Sequence, residues 1–340
     1  MRFRRLALVC ALGTALASCR EPPMQTAELP AEAPRALDGE VVRYDLRFPC
    51  GATNCAGWLY LPNGVQAPPV VVMGHGFAGT RDVGLPFFAE FFSRAGVAAF
   101  VFDYRNFGSS GGAPRQLVDP WQQLDDWGAA IAFVRSHYKV DGSRIALWGS
   151  SLGGGHALIA AARDGDVQAV VAQVPLIDSE IEGEATFPGV LWLIRLLLTA
   201  WGDIACNAFS ADPWLIPAIA PNGGFGMIVD DAAFERATGL VPSNSHYRNE
   251  VAARSVFTFD DYNPRRQAAA LTAPVLLIAS KADRFAPYTA VEAYAKAYAD
   301  VTVSTIEGDH FDVYTRPVAR HAAEEALSFL KSHLEPRSDE

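Results

Sequence analysis

Ser151 stands in the run Gly149-Ser150-Ser151-Leu152-Gly153, a serine with a glycine two residues to either side. A serine hydroxyl is a weak nucleophile until a base takes its proton, so the run matters only if the chain supplies that base. The pattern alone is a weak signal, and its surroundings give it weight. It directly follows the apolar run Arg144–Trp148 and directly precedes an alanine-rich stretch from Leu152. A nucleophile on a sharp strand-to-helix turn needs that placement, with small neighbours so that the backbone can close. Gly149 and Gly153 supply the room, Gly154 and Gly155 extend it, and the helix N-terminus aims its dipole at the reaction centre. Ser150 is the competing hydroxyl, but the glycines bracket Ser151.

A histidine must serve as the base, and the chain has seven. His137 and His333 fall in polar helical contexts, His321 on the last helix, and His246 in a long interval described below. His156 lies in the helix after Ser151, where it packs. His310 alone occupies a short loop after a late strand, in Glu-Gly-Asp-His-Phe, from which a ring can swing toward the serine. A carboxylate must then fix the tautomer of that ring and stabilise its protonated form. Asp283 follows the strand Pro274–Ala279 and fits this role. Asp178, after the preceding strand, competes with it, whereas Asp309 adjoins His310 and points elsewhere.

The elements that must hold these residues follow from periodicity. Val41–Phe48 and Gly57–Leu61 read as an opening antiparallel hairpin. Val70–Met73 and Val97–Phe102 are continuous apolar runs, as expected of strands buried on both faces. Between them Leu85–Arg94 reads as a helix ended by Gly96, and Asp119–Ser136 as the next helix. Arg144–Trp148, the helix from Leu152 and Val167–Val174 repeat the unit. Pro274–Ala279, Tyr288–Tyr298, Val301–Ile306 and Pro317–Leu334 complete it. Alternating strands and helices of this kind predict an α/β fold, a mostly parallel central sheet covered by helices on both faces.

Residues 176–269 break the rhythm and read as a helical lid inserted between two core segments, 41–175 and 270–334. The lid holds a very apolar helix, Val190–Trp201, with Arg195 at its centre. The sequence predicts burial of this helix against the core, with contact at a membrane interface as the alternative. Trp192, Trp201, Trp214, Phe187, Phe209 and Phe225 are expected above Ser151, either lining an apolar acyl pocket or gluing the lid to the core.

The stretches HGFAGTRD, FDYRNFGSSGGAPRQ, DGSRIALWGSSLGGG, KADRFAP and GDHFD resemble the α/β-hydrolase superfamily over residues 41–333, within it the dienelactone-hydrolase-like and acyl-peptidase-like branch. The chain order Ser151, Asp283, His310 is the order of that fold. By this resemblance those residues take the nucleophile, acid and base positions. His75-Gly76-Phe77 resembles the oxyanion loops of esterases, with His75 shaping the loop and the backbone N–H groups of Phe77 and Leu152 as donors. The resemblance implies a serine hydrolase acting on a small-molecule acyl substrate, cleaving carboxylic esters through an acyl-enzyme. Amide or peptide cleavage and acyl transfer would use the same residues. A non-catalytic, lipid-anchored binding protein is the reading of another class, and the complete set of three residues speaks against it.

Composition bounds the rest. In 340 residues, 28 Lys plus Arg against 38 Asp plus Glu give a net charge of −10, which repels phosphate backbones and argues against a nucleic-acid partner. The serine chemistry requires no cofactor, and no cysteine pair or His/Cys cluster has metal-ligand spacing. Residues 1–18 read as a signal peptide, with Arg2, Arg4 and Arg5 ahead of the short apolar stretch Leu6–Ala17. Leu16-Ala17-Ser18-Cys19 resembles a bacterial lipobox, which implies lipidation of Cys19 and a membrane-anchored protein of the cell envelope. Residues 19–40 read as a Pro/Ala/Glu-rich tether. In such an oxidising setting Cys50 and Cys55, either side of Gly-Ala-Thr-Asn, form either a bridge or two separate buried thiols.

Overall fold

The structure is a computed structural model, which describes residues 34–137, 139–178, 187–207 and 212–335. The leader, Cys19 and Phe209 lie outside the described residues. The chain opens with strands β1 (Arg35–Ala36), β2 (Val41–Cys50), β3 (Thr53–Pro62) and β4 (Val70–Gly74). Helix α1 (Leu85–Arg94), β5 (Ala98–Phe102), α2 (Pro120–Arg135), β6 (Ile145–Ser150), α3 (Leu152–Asp164) and β7 (Ala169–Gln173) follow. Then come α4 (Phe187–Asn207), the short strands β8 (Leu215–Ile216), β9 (Ile219–Ala220) and β10 (Ile228–Val229), α5 (Asp231–Gly239), β11 (Val251–Ala252) and α6 (Pro264–Gln267). Strand β12 (Val275–Ser280), α7 (Tyr288–Ala297), β13 (Val301–Ile306) and α8 (Val318–Leu334) complete it.

Nine strands form one sheet in the order β1-β2-β3-β5-β4-β6-β7-β12-β13. The first three meet their neighbours antiparallel, and from β5 to β13 every pairing is parallel. Side chains alternate across a strand, so each central run feeds two cores. Val70, Val72, Phe100, Leu147 and Leu277 join one cluster, which takes in Trp127 of α2 and Leu158 of α3. Val71, Met73, Val101, Trp148 and Ile278 join the other, with Phe88 of α1 and Leu330 of α8. This two-sided burial is why the strands read as unbroken apolar runs. The end of the stretch expected to be a tether enters the fold, because Arg35–Ala36 pairs with β2 and Asp38 bonds Arg94 at 2.5 Å.

Cys50 and Cys55 are joined by a disulfide with 5.7 Å between their Cα atoms. Thr53 and Asn54 belong to β3, so the connection is a two-residue turn, Gly51-Ala52, tighter than the tetrapeptide expected.

Helix α4 corrects the expectation of burial. Leu196 and Ala200 face inward, and buried Asp203 is paired with Arg254 at 2.6 Å. Leu198 and Trp201, in contrast, are 68% and 61% exposed. The periodicity marked an apolar helix, but one polar inward residue with its partner leaves the opposite apolar arc facing out.

Candidate active site

Strand β6 ends at Ser150 and α3 begins at Leu152, so Ser151 is the single residue of the turn between them. Its backbone has φ 57° and ψ −122°. A non-glycine residue there is strained, and surrounding structure must hold it. The Ser151 N–H donates to the Gln173 carbonyl at 2.9 Å, and the Ser151 carbonyl accepts from Gly154, Gly155 and Leu176. The glycines are needed for close approach. A Cβ on Gly149 would collide with the Gly153 carbonyl, and one on Gly153 with the His75 and Gly74 carbonyls.

The structure brings Ser151, His310 and Asp283 into one hydrogen-bonded series. His310 Nε2 lies 3.0 Å from Ser151 Oγ, and Nδ1 lies 2.7 Å from Asp283 Oδ2. A carboxylate oxygen only accepts, so Nδ1 carries the proton and Nε2 is free to accept from the serine. The other oxygen, Asp283 Oδ1, accepts from the Phe285 and Ala286 N–H groups, each at 2.8 Å. Those two bonds fix the carboxylate plane independently of the histidine. The loops bearing Asp283 and His310 are tied together where Ser280 Oγ donates to the Gly308 carbonyl.

The His75-Gly76-Phe77 turn lies directly against the nucleophile. A Cβ on Gly76 would sit 3.0 Å from Ser151 Cβ. His75 is buried, its ring edge-on to Tyr104 with centroids 4.4 Å apart, and its Nδ1 lies 2.9 Å from the Gly76 carbonyl. Burial holds its pKa below the usual histidine value. The loop is pinned at its far end by Arg81, whose backbone and guanidinium both bond buried Asp103. Leu152 is the first residue of α3, so its N–H has no intrahelical acceptor. That free N–H and the nucleophile can meet a bound carbonyl together.

The competing residues are placed elsewhere. Ser150 is buried, 2.5 Å from the Tyr314 hydroxyl, and also accepts from Gln173. Asp178 accepts from Asn263 at 2.8 Å. His156 is held between Gln123 and Tyr262 at 2.9 and 2.8 Å, and burial pushes its pKa down to about 3. Among the described residues, Cys50, Cys55 and Asp126 converge with metal-ligand atom types. Both sulfurs are spent in the disulfide, and Asp126 is paired with Arg105.

A cavity of about 120 Å³ opens over Ser151. Phe285, Phe311 and Tyr314 line it from the core, and Ile219, Ile228, Ala233, Ala237, Leu240 and Tyr247 from the lid. Trp192, Trp201, Trp214 and Phe225, expected in this wall, are instead used within the lid. Trp192 donates to the Gly226 carbonyl, Arg195 covers Phe225 at 3.9 Å, and Trp201 packs on Phe257. Trp214 lies against Gly202, where a Cβ would strike its ring. Aliphatic residues of short strands carry too little periodicity to be picked out, so the sequence missed the actual wall. Helix α5 also grips both loops of the series. Arg236 pairs with Asp309 at 2.5 Å and Asp312 at 2.8 Å, and Arg284 pairs with Asp230, the α5 N-cap, at 2.9 Å.

The family model described as serine aminopeptidase, S33, matches residues 66–310, a span that holds Ser151, Asp283 and His310. The chain belongs to that family. This S33-family chain is 36% identical over 287 residues to the quorum-quenching protein AidA of Acinetobacter baumannii, covering 84% of this chain and 94% of AidA. It is 27% identical over 308 residues to the polyketide transferase af380 of Aspergillus fumigatus, covering 86% of this chain and 99% of af380. Among solved structures, the α/β hydrolase GrgF from Penicillium sp. sh18 aligns with a TM-score of 0.73 and 25% identity, over 86% of this chain and 99% of GrgF. The fold is that of the α/β hydrolases, and the protein is an α/β-hydrolase enzyme.

Proposed function

We propose that the enzyme cleaves carboxylic esters, with Ser151 as nucleophile, His310 as base and Asp283 as the acid that orients it. The unbroken series from Ser151 Oγ through His310 to Asp283 carries this reading. His310 Nε2 takes the hydroxyl proton as Ser151 Oγ attacks the acyl carbon, and Asp283 stabilises the imidazolium that forms. The oxyanion is held by the backbone N–H groups of Phe77 and Leu152. His310 returns the proton to the leaving alcohol, and water repeats the sequence on the acyl-enzyme. The small, mostly apolar cavity supports acyl groups of short to medium length.

The family description supports an amide substrate on the same residues, and the transferase named among the relatives supports acyl transfer to an acceptor other than water. A panel of nitrophenyl esters from acetate to dodecanoate, with lactones and dipeptide amides, separates these. Expected is a kcat/KM that rises to an optimum below the long-chain end, and loss of at least about a thousandfold in kcat for Ser151→Ala and His310→Ala. Cleavage of amides with no esterase activity, or near-normal turnover by Ser151→Ala, would overturn the assignment.

We further propose that Cys19 is lipidated and that the enzyme is held on a membrane of the bacterial envelope. The run Leu16-Ala17-Ser18-Cys19 supports this, and the buried disulfide suits an oxidising compartment.

A further inference from the structure

Helix α4 presents an arc of apolar side chains to solvent. At 100° per residue, Val190, Leu191, Ile194, Leu198 and Trp201 fall on the side opposite Leu196, Ala200 and Asp203. No position within that arc carries a charged or polar side chain. Arg195, on its flank, is turned onto the Phe225 ring at 3.9 Å. From Val190 to Trp201 the arc is about 16 Å long. Gly189–Cys206 is long and apolar enough to cross a membrane by composition, yet its inward side is spent on the lid. A spanning orientation would expose Asp203 and Arg254 to hydrocarbon.

We propose that this arc is a second membrane contact, lying flat in the interface of the bilayer that holds the acyl chain on Cys19. The proposal rests on the lipid-anchor reading above. Cys19 and Arg35 are separated by 35 − 19 = 16 residues, a reach of about 50 Å when extended. An anchored chain therefore meets the bilayer at high effective concentration, whereas a second copy must be encountered by diffusion. Trp201, at the arc, and half-exposed Trp214, beside α4, suit the headgroup boundary. With Arg195 occupied and the whole chain acidic, attachment is by apolar insertion, so it needs no anionic lipid and resists salt.

The adjoining chain leads to the cavity. Trp192 of α4 bonds the Gly226 carbonyl, and Ile228, two residues on, lines the wall over Ser151. Docking through α4 therefore holds the lid side of the site at the membrane.

The test uses the full chain on phosphatidylcholine vesicles, with and without bromine on the acyl chains. The emission contributed by Trp201 is the difference between the protein and its Trp201→Phe variant. Expected is strong quenching of that component by brominated lipid, unchanged at high salt. In a Cys19→Ser background, adding Leu191→Glu and Leu198→Glu should lower flotation with vesicles by about tenfold. Matching melting curves show that these variants fold. An unquenched Trp201 overturns the proposal, as does a Cys19→Ser protein that is a dimer in solution and is split by the Glu substitutions. Failure of the anchor reading is seen separately, as a mature N-terminus in the wild type that is not Cys19.

Discussion

Burial holds His75 and His156 neutral, both rings edge-on to Tyr104. Both have folded pKa values below the usual 6.5, His156 at about 3. In acid the unfolded chain takes up protons that the folded chain refuses. Stability is therefore complete above about pH 6.5 and falls as pH drops; for His156 the fall continues toward pH 3 at about 1.4 kcal/mol per pH unit, and His75 adds to it in the same direction. Melting temperature measured from pH 7 to 4 should fall, and His156→Asn should fall less steeply. An equal slope in that variant would remove His156 from the account. The same residue types show what was legible at this scale. His310 and Asp283 could be read because each follows a strand end in the right chain order. Asp178 could not be set aside from the sequence, because its bond to Asn263 joins residues far apart in the chain.

At the scale of elements, the strands and the turn at Ser151 were legible because burial on both faces leaves short apolar runs bounded by turn residues. Helix α4 was not. An apolar pattern says that a helix has something to bury, and leaves open which arc is covered when a long-range pair such as Asp203–Arg254 sets its rotation. The hairpin of β2 and β3 shows the converse, a local geometry that turns two nearby cysteines into a bridge. Its loop is short, so the crosslink removes little freedom from the unfolded chain, about 2 kcal/mol on the loop-entropy account. Reduction, or Cys50→Ala with Cys55→Ala, should lower the melting temperature by several degrees and leave turnover at 25 °C intact. Loss of turnover without unfolding would show that the hairpin supports the site directly.

For the molecule as a whole, the grip of α5 on the two loops that carry Asp283 and His310 has a consequence for the catalytic cycle. The helix that walls the cavity through Ala233 and Ala237 also holds, through Arg236 and Asp230, the loops that bear His310 and Asp283. Ser151, on the turn between β6 and α3, has no ion pair to α5 among the described residues. A lid that lifts to release product must therefore break these ion pairs or drag His310 from the serine. Because the pairs are exposed, salt weakens them, and Arg236→Ala with Arg284→Ala should cost a few-fold in kcat/KM and flatten its dependence on ionic strength. Unchanged salt dependence in the double variant would separate the lid from the triad. On the proposed mechanism, access and reactivity would then be opposite settings of one latch: open, molecules exchange, and closed, the serine reacts.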